Sequence, residues 1–316
     1  MLSAILCIMQ NQSDTRIKPE IIDYSGHYYY PKFEGLEKLV IFPDGETRKK
    51  GIPNSSVWVF SEPHKYEQDI LSADAGCGIT GFLLPEIDYK QSADIIAEYL
   101  QDKGILGRGN HFVDLCSPII SHYGATEGSI MLVHTDGKYA NKSVPSTVDA
   151  AITKAKSAIE FRQQLAYDIA SMLGVDCHLM VDWTHNFVEK KEGKIIYRKG
   201  AIKTFEGKLH ILPAHIGRDI LVYTVDSQDM PPLESMPHGT GRKLPIYAMK
   251  NPEFDRIILE ELKKLRSQVY IPLITDESLR SEAPLCYNDF NNIFEKLVDY
   301  IVTIGHIDIK AYIGKI

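Results

Sequence analysis

The chain of 316 residues has no long apolar run. No segment approaches the roughly 20 consecutive apolar residues that a membrane-spanning helix needs. It also lacks an excess of cations: 35 Lys and Arg stand against 42 Asp and Glu, a formal charge of −7. That balance argues against a protein coated with positive charge for bulk nucleic-acid binding, but it leaves room for a local basic cleft. Cysteine is sparse and unpatterned. Cys7, Cys77, Cys116, Cys177 and Cys286 form an odd, scattered set, a poor disulfide framework. Reduced cytosol fits better, so a cytoplasmic location is expected. Residues 1–9 are apolar but short and have no basic leader, and they read as an opening strand rather than a secretory signal. No internal repeat or low-complexity linker is present. With 44% hydrophobic and 24% charged residues, the composition is that of a globular chain and excludes disorder or collagen. The length supports a sizeable core, and one domain over residues 1–316 is expected.

Short β-branched runs with turn residues nearby predict strands at 38–42, 56–60, 79–84, 130–134, 178–183, 194–198, 209–212, 220–225 and 307–313. Helical spacing predicts a helix at 92–101. A second is expected at 148–173, after Pro145, Ser146 and Thr147 and before a stop at Gly174. A third is expected at 251–267, opening with Asn251 and Pro252, and a fourth at 289–303, ending near Gly305. Strands and helices mix without a regular βαβ alternation, which favours an α+β fold.

Six segments carry chemistry. In SADAGCGI at 72–79, two glycines bracket Cys77, and Asp74 lies three residues earlier. A carboxylate and a thiol in one tight loop can converge on a metal, although a buried cysteine beside a turn is the commoner reading of such a segment alone. GRGNHF at 107–112 exposes backbone N–H groups to phosphate, with neither Rossmann nor Walker spacing. His111 enters the following apolar run. His134 closes IMLVH at 130–134, and His185 sits at a similar strand end in WTHNF at 183–187. A lone histidine of this kind is more often structural. Together with Asp74 and Cys77, however, these residues supply mixed oxygen, sulfur and nitrogen donors, which suit Mn or Zn better than Mg or Ca. MPHGTGR at 236–242 has the parts of a nucleophile loop: His238 to attack, glycines for access, and Arg242 as a fork for phosphate. Arg198 and Lys199 precede Gly200, either as a solvated turn or as part of a phosphate cleft.

The ordered motifs DAGCG, GRGNHF, VH with a short turn, HNF, RKGA and HG-x-GR resemble those of RtcB-type RNA ligases. EAPLCYND at 282–289, FPDG at 42–45 and the terminal Lys315 are also similar to that family, so the resemblance runs from about residue 38 to the end. It implies mixed β-sheets around a central metal and nucleotide cleft with flanking helices. It further implies a GTP- and Mn²⁺-dependent ligase, acting in RNA repair or tRNA splicing, that joins an RNA 3′-phosphate or 2′,3′-cyclic phosphate to a 5′-hydroxyl through an RNA-3′-ppG intermediate. Cys77 would bridge two Mn²⁺ ions, with Zn²⁺ a substitute. Asp74 and His111 would complete one site, His134 and His185 the other. His238 would attack the α-phosphate of GTP and become guanylylated. Asn110 would contact phosphate, Tyr287 would stack on guanine, and Asp114 and Lys315 would hydrogen-bond it. His215, Gly239 and Arg242 would lie in the nucleotide-binding loops, and Lys138, Arg198 and Lys199 would bind RNA phosphate. The implied partners are RNA ends and GTP, with no membrane, a monomeric state, and room for an activating protein.

The chain departs from the family pattern in places. It is short for the family. TDGK at 135–138 stands where the family usually has Ser-Gly-Ser-Arg, so Lys138 keeps a charge but not a bidentate fork. PAHIG at 213–217 replaces a Pro-Gly-Ser-Met-Gly loop, and LPI at 244–246 replaces a segment with a second cation. The departures fall among residues expected to hold nucleic acid or the GTP phosphates. An alternative reading is therefore a Mn-dependent phosphoesterase or nucleotidyltransferase acting on a different nucleic-acid end. A non-catalytic RNA-binding relative is a third reading, disfavoured because it needs neither the five ligands nor His238.

Overall fold

The structure is a computed structural model that describes residues 19–26, 33–45, 51–105, 112–139, 142–226 and 228–314. The expected opening strand, Asn110, His111 and Lys315 lie outside the described residues. The fold is α+β, with three five-stranded sheets and one two-stranded ribbon among the described residues. Cys77, Cys116, Cys177 and Cys286 are free thiols. No helix among the described residues is long and apolar enough to cross a membrane.

The central sheet runs in the order Ile309–Gly314, Phe112–Cys116, Ser129–Thr135, Gly78–Leu84 and His178–Thr184, antiparallel throughout. Alternation along its strands separates two faces. Met131 and Val133 pack with Phe82, Val113 and Leu115 under two helices, Tyr89–Asp102 and Val148–Leu173. Ile130 and Leu132 point the other way, into a core shared with Trp183 and Val222. His134 follows Leu132 by two residues and so belongs to that second face. Each fully buried Leu or Ile in these layers stabilises the fold by about 1.5–3 kcal/mol.

Beside the central sheet lies a second sheet in the order Glu20–Asp23, Leu36–Ile41, Ser56–Ser61, Lys194–Lys199 and Asn186–Lys191. Only its first pair is parallel. A third sheet joins His210–Leu212, Ile220–Thr224, Val302–Ile307, Ile120–Ser121 and Gly124–Ala125. Strand His178–Thr184 passes from the central sheet straight into Asn186–Lys191 of the second. His185 is the single residue between them, at the junction of the two sheets.

The helix Val148–Leu173 matches the sequence expectation at both ends. The Thr147 hydroxyl accepts from Ala150 N–H at 3.1 Å, and Gly174 takes the left-handed conformation with φ 68°. The third expected helix begins as a short 3₁₀ turn, Pro252–Phe254, before Asp255–Gln268. The fourth expectation is corrected. Residues 289–303 form one short helix, Phe290–Phe294, and a 3₁₀ turn, Val298–Tyr300, before the strand Val302–Ile307. Val302 and Thr303 pair with Thr224 and Tyr223, and the buried Gly305 and Ile307 pair with Val222 and Ile220; this strand pairing overrides the local helical spacing. Gly305 is a strand residue and not a helix stop.

An ideal Cβ on Gly305 lies 2.3 Å from the Ile120 carbonyl oxygen and 3.2 Å from Ile119 Cγ2. Gly305→Val is expected to force the strands apart and lower the unfolding free energy by about 1–3 kcal/mol. Urea unfolding monitored by circular dichroism checks this.

Candidate active site and metal centre

The loop carrying Asp74 and Cys77 sits between the central sheet and the long helix. Its backbone is interlocked with the sheet junction. The Cys77 carbonyl accepts from His185 N at 2.9 Å and Asn186 N at 3.2 Å, and Gly76 N donates to the Asn186 carbonyl at 2.7 Å. Two buried cations on the helix hold the loop from behind. Lys154 Nζ donates to the Ala73 and Ser143 carbonyls at 3.1 and 2.7 Å. Arg162, fully buried, donates to the Gly76 carbonyl at 2.6 Å, the Thr80 hydroxyl at 3.1 Å, Asp182 Oδ2 at 3.0 Å and the Thr184 hydroxyl at 2.7 Å.

These constraints bring Cys77, His134 and His185 together. One ligand atom from each lies within 4.8 Å of the others, with Cys77 Sγ 3.4 Å from His134 Nε2. His185 is buried, and its Nδ1 has no hydrogen-bond partner among the described residues, a costly arrangement unless something coordinates it. Burial, together with Asp74 and Asp136, pushes the Cys77 thiol up to about 12 against the opposing pull of Arg162. A thiol and two imidazoles in one buried cluster fit a divalent transition ion, which binds the thiolate form. Asp74 lies at the edge of the cluster, where its Oδ1 is 3.1 Å from Lys138 Nζ.

His238 faces this cluster, its ring centroid 4.6 Å from that of His185. Its orientation comes from Gly200. The Gly200 carbonyl accepts from both His238 N at 3.0 Å and His238 Nδ1 at 2.7 Å. A carbonyl cannot donate, so Nδ1 carries the proton and the neutral ring holds its lone pair at Nε2. Gly200 N in turn donates to Asn186 Oδ1 at 2.7 Å. Gly200 has φ 57°, and a Cβ there would stand 2.2 Å from the Asn54 carbonyl oxygen, so no larger residue fits. The buried carboxylate of Asp44 comes within 3.9 Å of His238 Nδ1, placed to balance positive charge on the ring.

A cleft of about 700 Å³ opens over these groups. Asp114, Lys138, Lys199, His215, Gly239 and Tyr287 all line it. Asp114 is buried with Oδ1 unpartnered among the described residues, and burial with the nearby Glu282 charge holds its carboxyl well above the usual range. His215 Nδ1 is likewise unpartnered, and burial plus the Arg218 and Lys264 charges lower its pKa. Gly239 lies close against Pro213, whose carbonyl oxygen would be 2.9 Å from an added Cβ.

Two cations differ from their expected places. Arg198 is buried and donates to Glu189 at 2.7 Å, the Ser235 hydroxyl at 2.8 Å and the Leu233 carbonyl at 3.1 Å. It does not line the cleft, which corrects its expected role as a phosphate ligand, because a charge on a strand buried on both faces is held by protein partners. Arg242 lines the cleft, but its guanidinium is bonded to the Ser281 carbonyl at 2.6 Å, Glu282 Oε1 at 2.9 Å and the Tyr287 hydroxyl at 3.1 Å. It also stacks on the Tyr287 ring at 4.7 Å, and the Tyr287 hydroxyl donates to Glu282. Arg242 thus fixes the wall that presents Tyr287. Sequence reasoning missed Asp44, Lys154, Arg162 and Asn186. Asn186 and Asp44 sit inside quoted motifs, whereas Lys154 and Arg162 have no local signal.

Replacing Arg162 by Met is expected to cost about 3 kcal/mol or more, because it strands Asp182 and the Gly76 carbonyl in the interior. Urea unfolding measures the loss, with Arg162→Lys intermediate. The buried histidines set a pH dependence. Burial, His238, His134 and Arg162 depress His185; burial depresses His210 and His215. Below an unfolded pKa of about 6.5 the unfolded chain takes up protons that the native one refuses. In chelator, stability is therefore expected to be full above about pH 7 and to fall on acidification through pH 6.5. A urea midpoint that rises between pH 7.5 and 5.5 contradicts this.

The model of the tRNA-splicing ligase RtcB family matches residues 150–306. That span runs from the first turn of the long helix through His185, His238 and the wall residues Glu282 and Tyr287. No curated protein matches the chain. The family match agrees with the ordered motifs: over residues 150–306 the chain carries an RtcB-family domain.

Proposed function

We propose that the chain is a GTP- and Mn²⁺-dependent RNA ligase that joins a 3′-phosphate or 2′,3′-cyclic phosphate end to a 5′-hydroxyl end through a guanylylated His238. The observation that carries this reading is the hydrogen bond from His238 Nδ1 to Gly200, which leaves the Nε2 lone pair beside the Cys77, His134 and His185 cluster. His238 Nε2 attacks the α-phosphorus of GTP, a P–N bond forms, the bond to the bridging oxygen breaks, and pyrophosphate leaves. Nδ1 keeps its proton against Gly200, and Asp44 balances the charge on the ring. Asp74, Cys77 and His111 would hold one divalent ion, and Cys77, His134 and His185 another. Bound there, the ions would stabilise the negative charge gathering at phosphorus. Asp114 and Lys315 would hydrogen-bond guanine, and Tyr287 would stack on it. Asn110, Lys138 and Lys199 would bind phosphate, with His215 and Gly239 shaping the nucleotide pocket. GMP then passes to the RNA 3′-phosphate, and the 5′-hydroxyl displaces it. A single-domain, monomeric, cytoplasmic protein completes this reading.

The burial of Arg198 and the engagement of Arg242 favour a second reading, in which the same centre acts as a phosphoesterase or nucleotidyltransferase with little grip on RNA. With Mn²⁺ and GTP labelled at the α-phosphate, the wild type is expected to become labelled and His238→Ala is not. Cys77→Ala is expected to lose most bound Mn²⁺. RNA ends bearing a 3′-phosphate and a 5′-hydroxyl should be joined. Absence of protein labelling overturns the guanylylation mechanism, and labelling without a joined product favours the second reading.

A further inference from the structure

We propose that Asp219, His306 and Asp308 form a second metal site, for Zn²⁺, on the outer face of the third sheet. It does not depend on the reading of the cleft, which none of the three residues lines. The site begins from strand register. Ile220 pairs with Ile307 and Leu221 with His306, and Ile220 and Ile307 are buried in the core. Residues paired across antiparallel strands share a face, and faces alternate along each strand. His306 therefore points outward. Asp219 and Asp308, each one residue beyond the buried pair, point outward with it.

The three side chains converge. One donor atom from each lies within 4.8 Å of the others. His306 Nε2 stands 4.0 Å from Asp219 Oδ2 and 3.8 Å from Asp308 Oδ1. These gaps are too long for hydrogen bonds. A zinc ion sits about 2.0–2.2 Å from nitrogen and oxygen donors, so donors around one ion stand roughly 3–4 Å apart. The spacing approaches that of ligands and not of bonded partners. An imidazole with two carboxylates suits Zn²⁺ better than Ca²⁺ or Mg²⁺, which prefer oxygen alone, and binds Mn²⁺ more weakly than Zn²⁺. The frame is fixed. Ser117 N donates to the Asp308 carbonyl, and Asp308 N to Ser117 Oγ, both at 2.9 Å. Lys310 Nζ donates to Asp308 Oδ2 at 3.0 Å, while Oδ1 faces His306. Arg218, beside Asp219 in sequence, is engaged over the Phe290 ring at 4.4 Å and on Asn291 Oδ1 at 3.3 Å. Like charges facing each other across a strand pair repel, and an ion between Asp219 and Asp308 reverses that. It would also tie together the strands behind Ile220 and Ile309, which line the cleft.

Zinc bound per chain, measured by equilibrium dialysis over a range of concentrations, is the test. His306→Ala is expected to bind one ion fewer than the wild type. Asp219→Asn is expected to weaken binding of that ion by about tenfold or more. The Asp219 side chain is 64% exposed, so Asp219→Asn should keep the urea midpoint in chelator and still reports if His306→Ala fails to fold. Cys77→Ala should retain the ion that His306→Ala loses. Zinc should also raise the urea midpoint of the wild type more than that of Asp219→Asn. Equal zinc binding by the wild type and both surface variants overturns the inference, as does loss of all bound zinc in Cys77→Ala. Neither result touches the ligase reading, which is decided by the labelling of His238.

Discussion

A guanidinium cannot remain in the interior unless its donors find acceptors, and Arg162 imposes that constraint on everything around it. Its bonds reach the Gly76 carbonyl, two strands of the central sheet through Thr80 and Asp182, and the strand end at Thr184. One charge on the long helix thus fixes the distance between the Cys77 loop and the strand that leads to His185. The small residues Ala155 and Ala158 let the helix come close enough, and Gly76, with φ 95°, passes beneath with no side chain to obstruct it.

The reactive end of the cleft inherits that rigidity. The Cys77 carbonyl binds His185 and Asn186, Asn186 holds Gly200, and Gly200 orients His238. Four segments are joined by bonds that each use at least one main-chain group, so backbone polar groups are satisfied without water. Chemistry and scaffold share the same atoms there. The carbonyl that sets the His238 tautomer also accepts from the His238 main-chain N–H, next to the pairing of Ala201 with Pro237. On the opposite wall, Arg242, Glu282 and Tyr287 form a closed hydrogen-bonded group, which keeps the aromatic ring in place.

Much of this was legible in the sequence where one short segment carried its own signal. Thr147 and Gly174 announced both ends of the long helix, and the apolar run at 130–134 announced the strand that His134 closes. The donors Cys77, His134 and His185 were legible as residue types, but their convergence needs three strands in register. Arg162 was illegible because its partners are strands whose positions no local pattern encodes. Arg198 was misread because Arg beside Lys before a glycine resembles a phosphate grip, whereas Glu189 across the strand pair claims it. Residues 289–303 were misread because helical spacing there competes with a β-branched seam that only sheet pairing rewards.

The central claim is that the fold fixes His238 with its proton on Nδ1 and its lone pair on Nε2. Long-range ¹⁵N–¹H correlation spectra of the histidine rings near neutral pH test it most directly, with His238→Ala assigning the signal. The account predicts a protonated, pyrrole-type Nδ1 and an unprotonated, pyridine-type Nε2 for His238, with that preference lost when Gly200 or Asn186 is altered. A His238 ring protonated at Nε2 contradicts it.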